Sequence, residues 1–148
     1  MNKQRDLRMV FSAIPTTGLR SLWTALSANR VIRGRFVDAR GNGCLFYWLS
    51  ECQMTDRASR LAWTCSNALF TEAHDAAIRR IIVGWDNAQP DAIVKGAGYE
   101  NEYPAVGYVI RRSDVRRAIK KVMRLRRAAN KAERAMWSKV SHRVSAAA

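Results

Sequence analysis

SDVRRAIKKVMRLRRAANKAERAMWSKVSHR, residues 113–143, decides how this chain is read. Val115, Ala118, Val122, Leu125, Ala129, Ala132 and Met136 recur at alternating steps of three and four, which predicts a long helix with one apolar seam. Arg116, Lys120, Arg124, Arg127, Lys131 and Arg134 keep the same rhythm on another face. Ser113 stands where an N-cap is needed, and Asp114 follows with a charge that suits the helix dipole. Solvated helices tend to interleave signs for i,i+4 support, yet Val115 to Ala132 contains no acid. At ~1.5 Å rise per residue the six cations span about 27 Å. Duplex nucleic acid presents about one phosphate per 1.7 Å of axis, so this spacing suits a phosphate backbone.

Charge divides the 148 residues into three zones. Residues 111–148 hold thirteen Lys and Arg against two acids, a net of +11. Residues 1–40 are net +6 and residues 41–110 net −3, which accounts for the +14 of the whole. A helix so charged repels itself unless counter-charge comes from outside, and that points to a polyanionic partner. An anionic membrane surface fits less well, because the seam is rich in Ala where interfacial helices carry Trp, Phe and Leu.

Length and a 48% hydrophobic fraction fit one mainly α domain over 1–148, with a core at about 16–110 and a basic helix at about 113–143. Cys44, Cys52 and Cys65 are an odd set inside apolar patterns, which indicates reduced thiols and a cytoplasmic setting. No stretch reaches the ~18 apolar residues of a membrane span. The apolar run after the basic N-terminus is short and closed by Pro15, a poor secretory signal. The Arg-rich first 40 residues also have the composition of an organellar presequence.

About five or six helices are expected. A weak amphipathic one covers Arg5–Ala13. A second places Leu19, Leu22, Trp23 and Leu26 on one face, with Thr16 or Thr17 as N-cap. Val31–Val37 alternates like a short strand or extended arm and ends in the turn-rich Asp38–Gly43. From Cys44 the chain is apolar nearly all round, as in a short buried helix. Thr55 and Thr71 can cap two further helices, the first striped by Ala58, Leu61, Ala62, Cys65 and Leu69, the second by Ile78, Ile81, Ile82 and Trp85. Ile93–Val94 and Tyr108–Ile110 could pair as a short β-hairpin.

Other chemistry finds weaker footing. The helix pair Asp56–Trp85 has the outline of a helix-turn-helix, but Glu72 and Asp75 open its second helix, where groove-reading residues usually stand. Cys44 at a helix start, with His74 and Asp86, has the residue types of a Cys-His-Asp set. Cys44, Cys52, Cys65 and His74 lack metal-ligand spacing, and no phosphate-loop motif occurs. Tyr99, Tyr103, Tyr108 and Phe36 could stack on bases or close over their own core.

Gly41-Asn42-Gly43-Cys44-Leu45 opening an apolar helix, Trp85-Asp86-Asn87, and Ser113-Asp114-Val115 opening the last helix together resemble a family of small, uncharacterised, mostly actinobacterial helical proteins. That family carries a Gly-Cys-Leu-Gly-Ala-Leu-type helix, an Asn-Asp step and a late Asp-Val helix. Here Phe46-Tyr47-Trp48 replaces the small residues and Trp85-Asp86-Asn87 only approximates the middle step. The resemblance covers about residues 30–125 and implies an all-helical fold with no assigned activity.

The sequence therefore predicts a non-enzymatic protein that binds DNA or RNA mainly through phosphate contacts, with no cofactor, metal or catalytic residue. Arg116, Arg117, Lys120, Lys121, Arg124, Arg127, Lys131 and Arg134 are the expected contacts, with Arg30, Arg33 and Arg35 as a second group. The alternative is a phage- or plasmid-encoded inhibitor, of the anti-CRISPR kind, docked on an acidic protein surface of a nucleic-acid-handling complex. A cysteine-dependent enzyme using Cys44 is the weaker alternative. Two copies could also pair along the Ala seam as a homodimer.

Overall fold

The computed structural model describes residues 2–50, 72–86 and 108–147. Within them lie α1 (Lys3–Ser12), α2 (Thr16–Ser27), α3 (Leu45–Leu49), α4 (Glu72–Asp86) and α5 (Arg112–Ala147), and no strand. The fold of the described residues is all-α. The predicted helix after Thr55, the Thr71 cap and the Ile93–Val94 half of the hairpin lie outside the described residues.

Local chemistry sets the helix ends. The Asn2 side chain accepts the N–H groups of Gln4 and Arg5 at 2.9 and 3.2 Å, so α1 begins two residues before the periodicity indicates. Pro15 separates α1 from α2 and itself occupies the N-cap position. The predicted Thr16 or Thr17 cap is therefore not made, and Thr16 is the first helical residue.

The expected strand at Val31–Val37 is replaced by a loop with two isolated bridges, both to Gly43. Gly34 and Gly41 have φ of +76° and +78°, outside any strand conformation. The Ile32 N–H bonds the Gly43 carbonyl at 2.9 Å and the Gly34 N–H the Asp86 carboxylate at 2.8 Å, so this backbone is satisfied by single long-range partners and not by a ladder. Asp38 closes the following turn by accepting the N–H groups of Arg40 and Asn42. Tyr108–Ile110 likewise forms no strand. The Ile110 N–H bonds the Gly84 carbonyl at 2.8 Å, and the Tyr108 ring lies 2.8 Å from where a Gly84 Cβ would stand.

All five helices contribute to one core. Leu7, Val10 and Phe11 of α1 meet Leu19, Leu22 and Leu26 of α2, Leu45 and Leu49 of α3, Ile81 and Trp85 of α4, and Val115, Ala118 and Val122 of α5. The core thus extends at both ends beyond the expected 16–110. Ion pairs fix its edges. Buried Asp6 accepts two bonds from Arg80 at 2.8 and 2.9 Å and one from the Tyr108 hydroxyl, joining α1, α4 and the approach to α5.

The first half of α5 is fastened to α1 at two points. Asp114 pairs with Lys3 at 2.8 Å and reaches back to the Arg111 N–H at 2.9 Å, while its carbonyl accepts from Gln4. That is the third-position half of a capping box; the helix begins at Arg112, so Arg111 takes the N-cap position expected of Ser113, which lies inside the first turn. Three turns on, Arg126 donates to the carbonyls of Phe11, Ser12 and Ile14 and to Thr16 Oγ1. It satisfies the open C-terminal carbonyls of α1, where a cation also suits the dipole. Past Arg126 the rod leaves the body, and Arg127 to Ala146 are all exposed.

Burial pulls the Asp6 carboxyl upward, but the bonds from Arg80 and Tyr108 outweigh it and hold Asp6 below the usual carboxylate range. A depressed folded value means the stabilisation is complete above the unfolded value of about 3.9 and fades as pH falls through the folded one. Asp6→Asn is expected to cost about 1–3 kcal/mol at neutral pH. Urea midpoints of variant and wild type should then converge in acid; a gap that stays constant would contradict this account.

Candidate nucleic-acid interface

α5 carries the eight predicted contacts on the side opposite its buried face. Arg117, Lys120, Arg124, Arg127, Lys131 and Arg134 are exposed, while Arg116 and Lys121 are half-buried. Arg116 rests against the Leu26 carbonyl at 3.5 Å, the C-terminal end of α2. Among the described residues, the side chains of Lys121, Arg124, Arg127, Lys131 and Arg134 form no hydrogen bond or ion pair. The ion pairs there employ Lys3, Arg79 and Arg80 instead. Asp6, Asp75 and Asp114 are committed to those pairs and make none with the crest of α5.

Three shallow grooves extend this crest across the body. The first, of about 520 Å³ between α1 and α5, sets Arg8 beside Arg116, Arg117, Lys120, Lys121 and Arg124. The second, of about 370 Å³ between α2 and α5, has Leu19, Trp23, Ile119 and Met123 in its lining, with Arg20, Lys120 and Arg127. The third, of about 320 Å³ on the far side of α2, is lined in part by Arg20, Arg30 and Trp48. Lys120 belongs to the first two grooves and Arg20 to the last two. The surface is therefore continuous from Arg124 to Arg30, a distant pair in sequence.

The second group of predicted contacts divides. Arg30 is exposed on the third groove, with its guanidinium 4.8 Å from the Trp48 ring centre and bonded to the Gly41 carbonyl at 3.2 Å. Arg35 is exposed, and no groove brings it to α5. Arg33 is half-buried and turned to the interior. Its guanidinium stacks 3.5 Å from the Trp85 ring centre and donates to the carbonyls of Trp85 and Ile110. Burial, and then the nearby Arg112, push it down to about 10, so it stays charged at neutral pH while serving the interior. Arg33 ties the 31–44 loop to α4, a role its charge alone did not reveal.

The sequence pattern places Trp23 only on the apolar face of α2 and singles out none of Arg8, Arg20 and Arg126. Arg20 and Trp23 are three apart on α2 and so share a face, but only the packing of α2 on α5 turns that face into a groove. The loop aromatics behave otherwise. Tyr108 bonds Asp6 and covers Gly84, and Phe36 meets Tyr47 edge-on at 5.5 Å, so both close over the core. Tyr99 and Tyr103 lie outside the described residues.

The apolar seam of α5 also divides. Val115, Ala118 and Val122 are buried, whereas Leu125, Ala129, Ala132 and Met136 are exposed. Val140 follows Val122 by five turns at ~3.6 residues per turn, so the buried face continues uncovered along the projecting half. Met136, Trp137 and Val144 are 56%, 59% and 66% exposed there.

Cys44 is a free thiol at the N-cap position of the five-residue α3. Burial, partly opposed by nearby backbone N–H groups, pushes it up to about 11, which disfavours the thiolate. His74 and Asp86 lie at opposite ends of α4, ~18 Å apart at 1.5 Å per residue, so the Cys-His-Asp set does not assemble. Cys52 and Cys65 are outside the described residues. Among those described, no three His, Cys, Asp or Glu side chains gather as a metal site, and no helix is long and apolar enough to cross a membrane.

No family model matches the chain, and no curated protein or solved structure is detectably similar to it.

The division of the arginines is measurable by thermal melts. Arg33→Ala leaves two interior carbonyls without their donor and should cost about 1–3 kcal/mol. Arg35→Ala should leave the melting temperature within a degree or so, as exposed sites generally do. Equal losses in the two variants would remove the structural role given to Arg33.

Proposed function

We propose that this protein binds nucleic acid through phosphate contacts made by the α5 crest and the grooves beside it, acting in the cytoplasm without catalysis. What carries this reading is the run of exposed cations from Lys120 to Arg134 that form no ion pair with a carboxylate among the described residues. Phosphate contacts give affinity without reading sequence, and each one releases counterions from the polymer. Half-buried Arg8, Arg116 and Lys121 have the more restricted geometry. Arg124, Arg127, Lys131 and Arg134 are long, mobile donors that adapt to a polymer of variable path. Arg20 and Arg30 extend the track over α2.

A second reading has its own observation. The uncovered apolar face of Met136, Trp137, Val140 and Val144 lies on the side of α5 opposite the cations and has the composition of a protein-docking surface. An inhibitor of a nucleic-acid-handling complex, of phage or plasmid origin, would dock by that face and present the cations to the complex's polymer path.

Fluorescence anisotropy with a labelled duplex and a labelled RNA across a salt series tests the first reading. About six phosphate contacts predict a log–log slope near −5 on a duplex. The triple reversal Lys120→Glu, Arg124→Glu, Arg127→Glu should flatten the slope by about three units and weaken binding by about a hundred-fold or more. Salt-independent affinity, or affinity that survives the reversal, would overturn it. In that case Trp137→Asp separates the second reading, because it spares the crest and spoils the apolar face.

A further inference from the structure

We infer that the groove around Trp23 receives an unpaired nucleobase, so that the preferred polymer is single-stranded. The inference rests on the phosphate-binding reading above and adds the form of the ligand. Leu19, Trp23, Ile119 and Met123 supply apolar surface, and Arg20, Lys120 and Arg127 stand around it. Apolar surface ringed by cations complements a flat, uncharged base joined to charged phosphates.

Trp23 differs from the two other described tryptophans of the body. The Trp48 indole N–H donates to the carbonyls of Arg30 and Gly43, and that of Trp85 to the carbonyl of Ile32. Buried indole N–H groups usually find such partners. Nothing among the described residues accepts from Trp23, nor is its nitrogen a buried orphan, so the N–H opens to solvent. Over its ring the Lys120 ammonium sits 5.7 Å from the centre, near the ~6 Å limit of an effective cation–π contact. Lys120 also borders the α1–α5 groove. A phosphate there draws the ammonium away and leaves the indole face for a base.

Size points the same way. The groove, about 370 Å³, sits at the low end of the ~300–1,000 Å³ range of small-ligand sites. A paired and stacked base cannot enter it. A single strand can splay one base onto the indole while its neighbouring phosphates meet Arg20 on one side and Arg124 on the other.

The test compares three labelled probes with the full chain: a short oligothymidylate, an abasic deoxyribose-phosphate polymer of equal length, and a duplex. Oligothymidylate should bind about ten-fold or more tightly than the abasic polymer, as one stacked base warrants. Trp23→Leu, which keeps apolar bulk but has no π-face, should erase that advantage and leave abasic and duplex affinities in place. Trp23→Phe should retain most of it. Should oligothymidylate and abasic polymer bind alike, the base site is overturned while the phosphate reading stands. Should no probe bind in a salt-dependent manner, both fall. The wild-type probe comparison decides the matter even where Trp23→Leu unfolds.

Discussion

Two residues of α5, Asp114 and Arg126, hold the architecture in register. Each grips one end of α1: Asp114 through Lys3 and Gln4, Arg126 through the carbonyls of Phe11 and Ser12. α1 and α5 therefore run in the same direction, with α4 packed on α1 and α2 packed on α5. Twelve residues at ~1.5 Å each put the two grips ~18 Å apart, slightly more than the length of α1. A helix held at both ends can neither slide nor roll, and the grooves on its flanks inherit that fixity. Side-chain pairs so placed are worth more for specifying one arrangement than for their modest individual energies.

The same economy of acids explains the surface. Asp6, Asp86 and Asp114 each face inward and bond backbone or a neighbouring cation. Burial raises Asp86, with the Gly34 N–H and Arg33 pulling against it, whereas their partners hold Asp6 and Asp114 low. These three carboxylates are committed to the interior and do little to screen the exterior.

The long helix and its seam were legible because a period repeated over thirty residues outweighs any local exception. The buried α3 was legible for the same reason, since apolarity on all sides leaves no other placement. Caps were less so. Asn2 and Asp114 act where the pattern favoured no residue and Ser113, because the choice among neighbouring polar residues depends on where the partner helix ends. The strand at Val31–Val37 failed because Gly34 turns the chain and Asp86, Trp85 and Arg112 take up its backbone groups one at a time. For the interface, charge density found the crest but could not separate Arg33 from Arg30. One lies over Trp85 inside, the other over Trp48 at the rim, and that difference belongs wholly to tertiary packing. The groove shared by Trp23 and Arg20 became visible only when α2 met α5.

Beyond Arg126 the last helix has no stabilising neighbour among the described residues. Some twenty residues would be marginal as a free peptide, since starting a helix is the costly step and repulsion between cations adds to the cost. The docked half removes the starting cost by acting as a permanent template, so the outer half winds or frays from its tip alone. Winding and fraying there move one residue at a time and need no fresh nucleus, so the boundary between rod and coil can shift along the arm without disturbing the body.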